Sequence, residues 1–127
     1  MAEPLAELRR ASWRIDVSDA VALDGTFEIA ADVVFPADEG AAPRALLFCL
    51  PGGFLDRTYF DLASSEDPSY SFAEFMARRG CVVAAIDHIG CGASSKPVDI
   101  EDGYRLGVAA ITAANERARA EVARRVG

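Results

Sequence analysis

At 127 residues, with 51% hydrophobic and 26% charged side chains, the chain has the length and composition of one globular domain. Its formal net charge of −7 argues against a nucleic-acid or anionic-membrane surface as its partner. Three cysteines without a CxxC pair and a single histidine make no zinc-ligand set, so no metal is expected, and the odd cysteine count fits a reducing compartment.

The opening stretch, MAEPLAELRR, has neither a basic n-region nor an apolar h-region, and no apolar run approaches the roughly 18 residues of a membrane span. The expectation is a cytoplasmic protein without a membrane partner. Residues 1–103 hold 8 basic and 18 acidic side chains, and 104–127 hold 5 basic and 2 acidic. That basic end is interleaved with Glu116 and Glu121, so it reads as a solvated helix face.

In chain order, Trp13, Ile15 and Val17 alternate with Arg14 and Asp16, the period of a half-buried strand. A second such run carries Phe27, Ile29, Ala31, Val33 and Phe35 against Glu28 and Asp32, and the intervening Asp24-Gly25 reads as a tight hairpin turn. Residues 36–43 (PADEGAAP) form a surface loop. ALLFCL, Ala45 to Leu50, is apolar without alternation and reads as a strand buried on both faces of a parallel sheet. In SYSFAEFMARRG, Ser71 and Glu74 have capping-box spacing, Phe72, Phe75 and Met76 share a face, Arg78 and Arg79 fall in the last turn, and Gly80 stands at the C-terminal cap. CVVAAID is a second strand buried on both faces, completing a βαβ unit. Tyr104, Val108, Ile111, Asn115, Ala118 and Val122 then mark one face of a long final helix. No repeat or low-complexity tract is present.

Two glycine loops leave the C-terminal ends of the two parallel strands, the edge where open α/β sheets bind ligands: PGGFLD after Leu50 and HIGCGASSKP after Asp87. A mononucleotide P-loop is excluded, because no GxxxxGK[ST] exists. A dinucleotide fingerprint is closer, since Gly90-Cys91-Gly92 supplies G-x-G, but Ser95 stands at the third glycine position and Pro97 within the phosphate-binding helix start. A third chemistry is an oxyanion hole, in which backbone N–H groups after an apolar strand stabilise a developing alkoxide.

RALLFCLPGGF, YFDL and SYSFAEFMARRGCVVAAIDHIGCGASSKP together resemble the N-terminal part of an α/β-hydrolase. In that family an apolar third strand ends in an HG or GG turn, and a string G-(apolar)-D-x-x-G-x-G-x-S-x-x-P follows around the fourth. Gly80, Asp87, Gly90, Gly92, Ser94 and Pro97 match that string, and Pro51 stands where histidine is common. The resemblance spans residues 12–125. It implies a single partial α/β-hydrolase-like domain over 1–127: an antiparallel strand pair, then βαβ in a mainly parallel sheet, then a long helix. It further implies Gly52, Gly53 and Phe54 as the oxyanion turn, with the N–H of Gly53 or Phe54 donating, and Asp87, His88, Gly90, Gly92 and Ser94 as a loop at the active-site edge. No cofactor is implied, and the partner would be a small acyl substrate.

A hydrolase should next present a nucleophile elbow, G-x-S-x-G, and later an acid and a histidine. No G-x-[SCD]-x-G occurs in the 127 residues, so the catalytic triad is absent. His88 adjoins Asp87, but neighbours on a strand point to opposite faces, which is poor for a Ser–His–Asp set. His88 therefore reads as a loop residue, Asp87 as an acceptor for loop amides, and Ser94 and Ser95 as turn or cap residues. Cys91 lies between glycines as an exposed thiol, while Cys49 and Cys81 read as small core residues. Asn115 either touches the sheet's polar edge or is a satisfied core amide. Phe54, Tyr59 and Phe60 either line an acyl pocket or pack over the sheet. In the family's order the third strand lies between the fourth and fifth, so without the latter ALLFCL becomes a bare edge, open to a second chain or to self-association. The competing expectation is a non-catalytic, hydrolase-like binding module.

Overall fold

Alternating residues give β1 (Arg9–Asp16) and β2 (Glu28–Phe35), antiparallel, with Arg9 opposite Phe35 and Asp16 opposite Glu28. The structure is a computed structural model and describes residues 7–53, 55–62 and 71–127. The connection is not the two-residue hairpin that Asp24-Gly25 predicts. The Val17 N–H donates to the Phe27 carbonyl (2.8 Å), the Phe27 N–H donates to the Ser18 hydroxyl (2.8 Å), and a wider loop follows in which Gly25 holds φ +113°. Asp24-Gly25 carries a left-handed glycine, but within that loop.

The uninterrupted apolar runs give β3 (Ala45–Cys49) and β4 (Cys81–Ile86). The strand order is β1-β2-β4-β3; β4 runs antiparallel to β2 and parallel to β3. The fold is thus an open, mixed four-stranded sheet with helices, of the α/β class. The sheet is less parallel than expected, since β3–β4 is its one parallel pair among the described residues. Every residue of β4 is buried, as its two-sided apolar run predicts. β3 is not: Ala45 is exposed and Leu46 to Phe48 are half-buried, because β3 is an edge strand with no described neighbour on its outer side. Burial on both faces follows from apolarity only when a strand has neighbours on both sides.

α1 (Phe72–Ala77) starts where Ser71 Oγ accepts the Glu74 N–H (3.0 Å) and stops before Gly80, which has φ +92°. The inward face differs from the expected Phe72–Phe75–Met76 stripe. Ala73 and Ala77 are buried against Val34, Val83 and Ala85, with Met76 partly buried beside them, while Phe72 and Phe75 are exposed. Small residues four apart let the helix backbone approach the sheet closely, and the Arg79 guanidinium covers the outward Phe75 ring at 3.4 Å.

The final helix is two. α2 (Ile100–Arg105) is capped by Asp99, whose carboxylate accepts the Glu101 N–H (3.0 Å), and α3 (Val108–Val126) begins after a break at Leu106-Gly107. Tyr104 and Val108, placed on one stripe by spacing, are therefore exposed on separate segments, whereas Ala114, Asn115, Ala118 and Val122 do form the buried face. That face packs with Ile15, Ile29, Val33, Val82 and Ile86 on the side of the sheet opposite α1. The Arg125 guanidinium lies 5.1 Å from the Trp13 ring centroid and ties the end of α3 to β1. Among the described residues no helix is long and apolar enough to cross a membrane.

Candidate functional site

Because β3 and β4 are parallel, with Cys49 opposite Ala85, their C-terminal ends lie on one edge of the sheet. The turn after Leu50 and the loop 87–97 leave from that edge side by side. Sequence reasoning places both here, and the structure brings them together.

Asp87 is the hub. Its side chain has no exposed surface, and its carboxylate accepts the backbone N–H of Arg57 (2.7 Å), the backbone N–H of Ala93 (2.7 Å) and the Arg57 guanidinium (2.6 Å). A buried carboxylate is tolerated only when paired and hydrogen-bonded, and here it meets both conditions. It holds loop amides, as the sequence reading assigned it. Gly92 explains itself against this carboxylate: with φ +53°, a Cβ would lie within 2.8 Å of all three carboxyl atoms. Gly90, at φ +88°, turns the chain so that its N–H donates to the Ser95 carbonyl (2.9 Å).

The two serines do more than cap a turn. The buried Ser94 hydroxyl donates to the Asp87 carbonyl (2.6 Å) and accepts the Ala30 N–H (2.9 Å). Ser95 donates its N–H to the Glu28 carbonyl (2.8 Å), and its hydroxyl accepts the Glu28 N–H (2.8 Å). The loop thereby continues the pairing of β2 beyond the end of β4, through the two serine hydroxyls and the backbone N–H groups of Asp87 and Ser95. Lys96 Nζ donates back to the Gly92 carbonyl.

Arg57, in the 3-10 turn Arg57–Phe60, carries no signal in the sequence, yet it locks the site's floor. Its Nε donates to Asp32 (2.9 Å) on β2 while Nη1 reaches Asp87. Burial works against its charge, but Asp32 and Asp87 more than offset this and hold the guanidinium above its ordinary pKa.

The glycine turn is pinned from behind. His88 Nε2 lies 2.8 Å from the Pro51 carbonyl oxygen, which can only accept, so Nε2 donates to it. Asn115 Nδ2, on α3, can only donate and lies 3.0 Å from Nδ1, so Nδ1 accepts. Asn115 is not a fully satisfied core amide: its Oδ1 is buried without a hydrogen-bond partner among the described residues. The Gly52 carbonyl is held in turn by the Leu55 N–H (3.1 Å). In a trans peptide the N–H points opposite the C=O. With both carbonyls engaged, the N–H groups of Gly52 and Gly53 turn the other way; both residues are exposed, and neither N–H has an acceptor among the described residues. Phe54, the third residue of the expected oxyanion turn, lies outside the described residues.

His88, Asp87 and Ser94 do not form a triad. The imidazole is bound to Pro51 and Asn115, the carboxylate to Arg57 and Ala93, and the Ser94 hydroxyl to backbone. All three cysteines are free: Cys91 is exposed, Cys49 and Cys81 are buried, and burial pushes the Cys49 thiol pKa up. No group of three or more His, Cys, Asp or Glu among the described residues is placed to hold a metal ion. Tyr59, Phe60, Leu62 and Phe72 surround an apolar hollow of about 340 Å³, with the Phe60 ring edge-on to both Tyr59 and Phe72. Compared with known proteins, the chain matches no family model and no curated relative.

Proposed function

We propose that these residues form the donor half of an acyl-transfer site of the α/β-hydrolase kind, acting on an ester or related acyl substrate. The observation that carries this reading is the pair of N–H groups at the exposed residues Gly52 and Gly53, which have no acceptor among the described residues and lie beside the Asp87 loop. Such donors, fixed before the reaction, stabilise an oxyanion as it forms. The strand order supports the same reading, because it leaves β3 beside β4 and open on its other side, where a hydrolase carries the strand of its nucleophile. The 127 residues hold no G-x-[SCD]-x-G, so the nucleophile comes from outside them. The coding sequence beyond Gly127 tests this: the reading expects an apolar strand ending in G-x-S-x-G. The 127-residue chain alone should not hydrolyse p-nitrophenyl acetate above background, and turnover that is lost on His88→Ala would refute that.

One observation favours a second reading, a non-catalytic module that self-associates through the sheet edge. β3 has no described neighbour on its outer side, so half of its backbone groups face outward there. A second copy of β3 could pair with that edge, and no charged side chain on β3 opposes the pairing. Sedimentation of the chain as a concentration-dependent dimer, with a stop codon after Gly127, would favour this module over the enzyme.

A further inference from the structure

The acyl-site reading leaves open what sets the direction of the Gly52 donor, and the geometry points to His88, oriented by Asn115, as its positioning residue. This inference rests on the donor-half reading for its function, though its geometry stands independently. The chain of contacts runs from the core to the surface. Asn115 is buried on α3 and donates to Nδ1 (3.0 Å); this selects the ring tautomer with hydrogen on Nε2; that hydrogen engages the Pro51 carbonyl (2.8 Å). Pro51 is itself buried and has no N–H, so its carbonyl is the polar group it contributes here. Holding that oxygen inward holds the Gly52 N–H outward, because both belong to one planar peptide. His88 therefore does not touch the reacting atoms; it sets the direction of the donor that does.

Asn115 Oδ1 marks the arrangement as more than packing. A buried amide oxygen with no partner among the described residues costs stability, on the order of 1–3 kcal/mol for such a group. An apolar residue of similar shape removes that oxygen but also the donor to His88 Nδ1, so the state of the imidazole, and not stability, separates the two roles. A positioning role predicts that the replacement leaves the fold intact and releases the imidazole.

The experiment is nuclear magnetic resonance on the full chain labelled with nitrogen-15, at mildly alkaline pH, with acetate as the oxyanion probe. In the native chain, His88 Nε2 should resonate as protonated and Nδ1 as unprotonated, and the Gly52 amide should show a single orientation by residual dipolar coupling. Asn115→Leu should mix the two tautomers in a chain that still folds. His88→Leu should release the Gly52 amide and weaken acetate binding at it about fivefold, the worth of one hydrogen bond. His88→Gln, whose Nε2 can reach the same carbonyl, should restore both. A native Nδ1–H tautomer, or a Gly52 amide whose orientation is the same in the His88→Leu and native chains, overturns the assignment. Should His88→Leu fail to fold, the native tautomer and the Asn115→Leu spectrum decide it alone. If the tautomer and the Gly52 orientation behave as stated but acetate leaves both glycine amides unmoved, the positioning stands and the acyl-site reading falls.

Discussion

Replacing Asp87 with asparagine preserves shape and removes charge, and the three donors around the carboxylate make its cost calculable. Arg57 N–H, Ala93 N–H and the Arg57 guanidinium all converge on a side chain with no exposed surface. An amide has one acceptor oxygen in place of two, so its best orientation keeps the two donors that share Oδ2 and turns its NH2 toward the Arg57 backbone N–H. That leaves one buried donor facing another, worth about 1–3 kcal/mol, and removes the charge from the remaining two bonds. Arg57 keeps Asp32 (2.9 Å) and is partly exposed, which limits the loss. The net expectation is about 3 kcal/mol, below the 3–5 kcal/mol that a wholly uncompensated buried pair can cost at its upper end. Urea unfolding of the native and Asp87→Asn chains measures it, through the shift in midpoint at unchanged slope. A loss under about 0.5 kcal/mol would mean that water or rearrangement satisfies these donors, and the hub described above would be wrong.

Gly92→Ala should cost about 3 kcal/mol or more, since it forces an alanine to φ +53° and drives its Cβ into the Asp87 carboxylate. Gly53→Ala, whose Cβ would meet nothing within 4 Å, should cost less than about 1 kcal/mol, and thermal melts of the pair test the contrast. Glu121, held first by Arg124 and then by Arg125, has its pKa lowered from 4.5 to about 2. A carboxylate depressed on folding adds stability above pH 4.5 that is lost as pH falls toward 2, so Glu121→Gln should flatten the stability curve across that window and not at neutral pH.

Much of this molecule was legible because its signals are local. β2 and β4 follow from alternation and from an unbroken apolar run, and Ser71 with Glu74 marks the start of α1 through a cap that spans three residues. The loop from Asp87 to Pro97 is legible through its resemblance to a family string, and the structure gives one physical reason for it: a left-handed Gly92 leaves no room for a Cβ beside the buried carboxylate. What escaped depends on partners far along the chain. Arg57 meets Asp87 and Asp32 across 30 and 25 residues, and Asn115 meets His88 across 27, and neither pairing imposes a period on the sequence. The inward face of α1 was misread for a related reason. Large aromatics dominate an apolar pattern, but the close approach of helix to sheet selects Ala73 and Ala77 and leaves Phe72 and Phe75 outside. Likewise, the heptad-like spacing from Tyr104 onward runs across Leu106-Gly107, where the helix in fact breaks.

The claim at the centre of this account is that the turn after β3 presents backbone donors to an oxyanion. Acetate titration of the nitrogen-15-labelled chain, followed at the Gly52 and Gly53 amide protons, measures it directly. The account predicts that these two resonances move downfield and saturate together while the exposed glycines Gly40 and Gly103 stay still. Glycine amides at 52 and 53 that stay still at saturating acetate, or that move no more than those at 40 and 103, would contradict it.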